Sequence, residues 1–370
     1  MKRFQRFIML AWLVIICCYC RILQGELVFS KSGINEIMAP NLAFNSVRKT
    51  EINKELEEAK RYFNDGHFQK AIELLERLII TKTLPKDTYR QASEYLAVAY
   101  VSNNQDKKAE EIFAQILQAD PNYKPSDLWW PHQRLMANYY KMRQKTGLSL
   151  RVSPQGPGIK TIAIIDFENY SIDEAERYEN LGGALSKILI SDLAVLSNLQ
   201  VVERERIQFL IKELELTEKK VGGKNIVDPE YAPQLGKLLG AHSFVFGSFI
   251  RFGKTFRMDV RLVKTETGEI FKTASVEGKP DKIFELAKKL ILKITKNLDV
   301  DIKKVERKKL DELGKSEIPI EAVVLYGDAM SMLNQEKYKD AFQKLERALG
   351  MAPDFHKAKE VMTSIRPLVL

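Results

Sequence analysis

Cysteine is almost missing from this chain, and its three copies, Cys17, Cys18 and Cys20, all fall within the first 20 of 370 residues. A mature chain that loses this segment has no disulfide, no cysteine-ligated zinc and no cysteine nucleophile. Histidine is scarce as well. His67, His132, His242 and His356 are isolated, and none has a partner at metal-ligand spacing. A long apolar run is the third absence: Phe7 to Cys20 spans 14 residues, fewer than the ~20 that a membrane-crossing helix needs. No nucleophile elbow, dinucleotide fingerprint or metalloprotease helix is present. Gly314-Lys315-Ser316 ends like a phosphate-binding loop, but Lys309 stands where the first glycine belongs and charged helix where a strand belongs. The expectation is a protein that is not an enzyme and needs no cofactor or metal.

What is there begins with an export signal. Lys2, Arg3 and Arg6 precede the apolar run, and Arg21 closes it. A basic start with a short apolar core favours a cleavable signal over residues 1–25, cut between Gly25 and Glu26. An uncleaved anchor is the alternative. Lipid attachment would use Cys18, although none of the cysteines follows the small residue that a bacterial lipobox wants. The formal charge of +9 is spread over helices in which lysine alternates with glutamate, as in 54–60 and 303–309. That is a solvated face, with no basic strip of interleaved aromatics for nucleic acid.

Residues 51–145 have helical periodicity and contain two stretches that align on Ala71 and Ala109. Ala59 and Ala97 precede these by twelve residues, and Tyr62 and Tyr100 by nine; Leu75 and Phe113 follow by four. A third copy aligns on Ala341 within 321–364. Small residues let helices cross closely while large ones fill the grooves between units, and the pattern resembles the tetratricopeptide repeat. Trp129 and Trp130 are expected to pack in a capping helix. Residues 146–158, with two prolines and three glycines, are the linker, and 299–320 form a charged helical connector.

The grammar changes from residue 159 to 298, where strands and helices alternate. Strands are expected at 162–167, 199–202, 243–252, 255–264 and 269–277, and helices at 178–197, 203–214, 229–239 and 280–298, with a loop at 217–228. In 255–264, Phe256, Met258, Val260 and Leu262 alternate with Arg257, Asp259 and Arg261, so one face is buried and one is wet. Gly182-Gly183 permits close approach of another backbone. Asp166 and Glu168 are expected as polar residues at the solvent edge of the sheet, and Gly222-Gly223-Lys224-Asn225 as a surface loop. The fold class is α/β plus all-α: helical hairpins, a small mixed-sheet α/β sandwich, and a C-terminal hairpin.

The phrases IAIIDFENYS, LGGALSKILISDLAVLSNLQVVERERI, LGKLLGAHSFVFGSFIRFG and FRMDVRLVKTETGEI resemble the CsgG family of curli-secretion components. The N-terminal domain of TolB and the flagellar lipoprotein FlgO share this plan. The resemblance implies an exported, periplasmic, outer-membrane-associated protein. Its partners would be other envelope proteins or exported substrates, or further copies in a ring. A scaffold or adaptor role is expected, because the segment 254–277 carries charge on its outer face rather than the apolar band of a barrel strand. The alternatives are a pore-forming subunit of such a channel, an anchored tetratricopeptide co-chaperone, and, more distantly, a hydrolase using Asp166 or Glu168.

Overall fold

The computed structural model describes residues 50–80, 84–126, 132–151, 158–214, 219–221, 224–226, 229–315 and 317–370. Gly25, Glu26, Cys18, Trp129, Trp130, Gly222 and Gly223 lie outside them. The chain divides into two units, 1–55 and 56–370, and the description that follows concerns the second.

The N-terminal helices are α1 (50–64), α2 (Phe68–Ile79), α3 (Lys86–Ser102), α4 (Asp106–Ala119) and α5 (Gln133–Lys145). From α2 to α5, consecutive members pack against one another. The turns between them reverse tightly because Gly66 and Asn104 take positive φ, 74° and 57°, which a small or short polar residue tolerates.

The sheet begins with β1 (Lys160–Ile164), followed by the two-residue β2 (Glu168–Asn169). Helix α6 (Leu181–Leu193), β3 (Leu199–Val201), α7 (Arg204–Glu213), the small hairpin β4 (Lys219–Val221) and β5 (Lys224–Ile226), and α8 (Ala232–Leu239) come next. Three long strands close the sheet: β6 (Ser243–Phe252), β7 (Thr255–Lys264) and β8 (Ile270–Gly278). Helices α9 (Ile283–Asn297), α10 (Lys304–Leu313), α11 (Ile320–Leu333), α12 (Tyr338–Met351) and α13 (His356–Ile365) complete the chain. The strand order is β3-β1-β6-β7-β8, with β2 beside β6 and the β4–β5 hairpin apart. β1 is parallel to β3 and β6, while β6, β7 and β8 are antiparallel. The result is an open mixed sheet with helical parts at both ends of the chain.

Strands 243–252 and 255–264 have the bounds expected from alternation and from Gly253, and the third runs one residue further than expected, to Gly278. There are three departures, and the first two have local causes. The chain leaves the sheet after β1 because Phe167 N–H donates to Gly182 O of α6 at 3.3 Å, and pairing with β6 resumes only at β2. Helix α6 stops at Leu193, short of the expected 197, because Ser197 N–H is taken by the Glu306 carboxylate of α10 at 2.9 Å. The expected loop at 217–228 contains β4 and β5.

One face of the sheet presents Ile162, Ile164, Val245, Phe249, Phe256, Met258, Val260 and Leu262 to α6 and α9. The same apolar cluster continues without a break into α11, α12 and α13, through Tyr326, Leu333, Leu345, Phe355 and Ile365. Each such side chain, fully buried, contributes about 1.5–3 kcal/mol, so the C-terminal helices share the core of the sheet. Phe355 sits between Phe284 of α9 and Tyr326 of α11, at centroid distances of 5.8 and 5.1 Å. Helices α7 and α8 pack on the parallel half of the other face, at β1, β6 and the end of β7.

Candidate functional site

β1 is flanked by β3 on one side and β6 on the other, so strand order reverses at its carboxyl end, the place where open α/β sheets gather polar groups. Asp166 stands just beyond that end. Arg204, the first residue of α7, clamps it with Nε to Oδ1 at 2.8 Å and Nη2 to Oδ2 at 2.5 Å. Ser186 of α6 donates to Oδ1 at 2.7 Å. The Arg204 side chain is 7% exposed and that of Asp166 31%. Burial alone would depress the Arg204 pKa, but the charge and hydrogen bonds of Asp166 outweigh it and hold the guanidinium's pKa above its usual value. The expectation that Asp166 is a polar residue at the solvent edge of the sheet is corrected: it is the anchor of a buried arginine. Glu168 stays at the surface and accepts from the Tyr170 hydroxyl.

The run Glu203-Arg204-Glu205-Arg206 is buried throughout. Its members face two directions, as successive residues of a helix start must. Arg204 and Glu205 face the sheet and α6, and Glu205 pairs with Lys187 at 2.9 Å. Glu203 and Arg206 face the N-terminal helices. Glu203 meets Lys124 at 3.2 Å, while Arg206 donates to Leu150 O at 3.2 Å and lies 5.6 Å from the centre of the Tyr140 ring. Four charges thus form the joint between the helical part and the sheet. The one signal in the sequence was their place, an unbroken charged run between the largely apolar stretches 199–202 and 207–211.

A second joint holds the C-terminal helices. A Cβ at Gly327 of α11 would lie 2.5 Å from Asn180 O, so α11 reaches the start of α6 at backbone contact. Around it, Asn180 donates to Asp328 at 3.0 Å, Arg177 pairs with Glu321 at 2.6 Å, and Lys357 of α13 pairs with Asp192 at 2.8 Å. Burial raises the Asp192 pKa, against the pull of Lys357. Gly182 makes the comparable approach to Phe167 O, where a Cβ would lie at 1.9 Å, as the glycine pair led one to expect.

The residues expected to pack between helical units differ in burial. Ala59, Ala71, Ala97, Ala109 and Ala341 are fully buried, Phe113 and Tyr100 are buried, and Tyr62 is half-buried. Phe113 meets Tyr139 edge-on at 5.6 Å, and the Tyr100 hydroxyl donates to Glu76. The four histidines remain apart. His242 Nδ1 accepts from Thr161 N–H at 3.0 Å, tying β1 to the start of β6. His132 is buried against Ser364 O at 3.2 Å and beside the Tyr338 ring at 6.1 Å, so it links α5 to the C-terminal hairpin. Among the described residues no three histidine, cysteine, aspartate or glutamate side chains converge to hold a metal, and no helix is long and apolar enough to cross a membrane.

Among solved structures, the lipoprotein GNA1162 of Neisseria meningitidis is similar at 14% identity, over 32% of this chain and 79% of that one, with a TM-score of 0.25. The LpoB C-terminal domain of Salmonella enterica is similar at 16% identity, over 42% and 99%, with a TM-score of 0.26. The PelC dodecamer of Paraburkholderia phytofirmans is similar at 11% identity, over 41% and 94%, with a TM-score of 0.24. No curated protein matches the chain. The family model for the curli production assembly/transport component CsgG matches residues 143–258, from the end of α5 to the middle of β7, which includes the Asp166–Arg204 clamp and all of 203–206. Residues 143–258 are a CsgG-family domain.

Proposed function

We propose that the protein is a non-catalytic component of the bacterial cell envelope, acting as a scaffold or adaptor in outer-membrane secretion or the assembly of a surface appendage. The observation that carries this is the CsgG-family domain at 143–258 together with its two buried joints. Helical hairpins tied rigidly to such a domain offer partner-binding surfaces in a fixed geometry, which is what an adaptor requires. We take these hairpins as tetratricopeptide-like units and the first 25 residues as the export signal. The adaptor reading is preferred to a channel subunit because β7 and β8 are occupied as sheet strands. Phe256, Met258, Val260 and Leu262 fill the core, and Arg257, Asp259 and Arg261 take the outer face.

Native mass spectrometry of protein extracted gently from its own membranes tests this. A monomer or small oligomer with a bound envelope protein is the expected result. A closed ring of many copies would replace the adaptor by the channel subunit. An N-terminus near Glu26 is expected in the same spectrum, and an intact Met1 would remove the exported assignment.

A further inference from the structure

Only part of the outer sheet face is covered. Phe244 and Phe246 of β6 and Val263 of β7 are buried there, whereas Ser248, Ile250, Asp259 and Arg261 are half-buried and Arg257 is exposed. Two adjoining clefts of about 600 Å³ run along β8 and the flank of α9 (590 and 610 Å³). Their walls carry five cations, Arg257, Arg261, Lys289, Lys293 and Lys296, against two carboxylates, Asp259 and Glu277. Arg257 is engaged with Asp259 at 2.8 Å and Lys289 with Glu285 at 2.7 Å. Arg261 and Lys296 form no ion pair among the described residues.

The end of this face nearest Arg257 is apolar. Tyr170 N–H and Ile172 N–H donate to Phe249 O and Arg251 O, at 2.9 and 3.2 Å, which extends the parallel pairing of β2 with β6. That register sets Tyr170 beside Ile250 and Ile172 beside Phe252, on the outer face by strand alternation. Tyr170, Ile172 and Phe252 are 48%, 72% and 63% exposed. Exposed Lys254 follows in the adjoining turn. Large apolar side chains grouped in water beside a cationic cleft mark a docking surface rather than scattered exposure.

An extended peptide adding to β8 is disfavoured by the edge itself. Lys293 Nζ donates to Ser275 O at 2.6 Å and Asn297 Nδ2 to Thr273 O at 3.1 Å, so the carbonyls that a new strand would use are occupied. The net charge of the walls is positive, five cations against Asp259 and Glu277, the volume is large enough for a headgroup, and the neighbouring patch is aromatic and aliphatic. These match an interface between anionic phosphates and acyl chains.

We propose that the outer face of β6–β8, together with the flank of α9 that reaches the β8 edge, docks on an anionic lipid surface. Phosphate headgroups sit among Arg257, Arg261, Lys293 and Lys296, and Phe252 and Ile172 enter the interface. The inference is independent of the adaptor reading, since either an adaptor or a channel subunit can carry such a face.

The test is sedimentation of the full chain with vesicles of phosphatidylcholine, with and without phosphatidylglycerol. The comparison is between the native protein and the double variant Arg261→Glu/Lys296→Glu. Lys339→Glu/Lys359→Glu, at exposed positions of α12 and α13, is the control for net charge. Because each cation near such a surface is worth about 1 kcal/mol, the first variant should lose at least roughly tenfold of the phosphatidylglycerol-dependent binding. The control should keep most of it, and Phe252→Ser should weaken binding with no change in its salt dependence. Equal loss in both double variants would reduce the effect to net charge and overturn the assigned face. So would displacement by inorganic phosphate beyond that by chloride of equal ionic strength, which marks a soluble-anion site. Capture of polyglutamate without vesicle binding would make the occupant an acidic segment and overturn the lipid proposal.

Discussion

At the scale of single residues, the buried charges are the most consequential. The Asp166–Arg204 clamp is asymmetric, because the arginine side chain is 7% exposed and the carboxylate 31%. Removing the carboxylate strands a guanidinium in the interior, while removing the guanidinium leaves a carboxylate that water still reaches. Asp166→Asn is therefore expected to cost about 3–5 kcal/mol in urea unfolding, and Arg204→Met distinctly less. Equal costs, or no cost, would show that the clamp is solvated in solution. This asymmetry was not legible in the sequence. Asp166 follows an apolar strand and has no lysine or arginine within five residues of it in the chain, and only the fold brings Arg204 to it across 38 residues.

At the scale of elements, the C-terminal hairpin is part of the sheet's core rather than an appendage. Helix α11 meets α6 through Gly327 at a distance that leaves no room for a side chain, because the opposing atom is a backbone oxygen. Gly327→Val is expected to push α11 off α6 and lower stability by at least the ~1–3 kcal/mol of ordinary overpacking. An unchanged urea midpoint, measured with the native chain in parallel, would mean that α11 does not dock there. The strands were legible element by element, since alternation and Gly253 mark β6 and β7. The two-residue β2 was not, because it has no periodicity of its own and exists only where β6 offers free hydrogen-bonding groups.

At the scale of the whole molecule, His132 reports on the closure of the N-terminal helices onto the C-terminal hairpin. Burial lowers its pKa from 6.5 to about 4, against a raising hydrogen bond with Ser364 O. A base with a depressed folded pKa contributes stability at neutral pH that is lost as the unfolded chain alone takes up the proton, between about 6.5 and about 4. The loss expected across that window is about 3 kcal/mol. It is read as a fall in urea midpoint from pH 7 to pH 4.5 that His132→Gln flattens; equal slopes in the two proteins would place the imidazole in water. By itself the sequence determined the classes of element, the alternation that buries Phe256, Met258, Val260 and Leu262, and the phrases within 162–270 that resemble CsgG, because these depend on residues close along the chain. Tertiary structure alone decided that residues 203–206 are an internal joint, that the sheet's core runs on into α13, and that Arg261 and Lys296 line one cleft. Each of those depends on groups far apart in sequence, and only the packing of the sheet against its helices determines which of them lose their water.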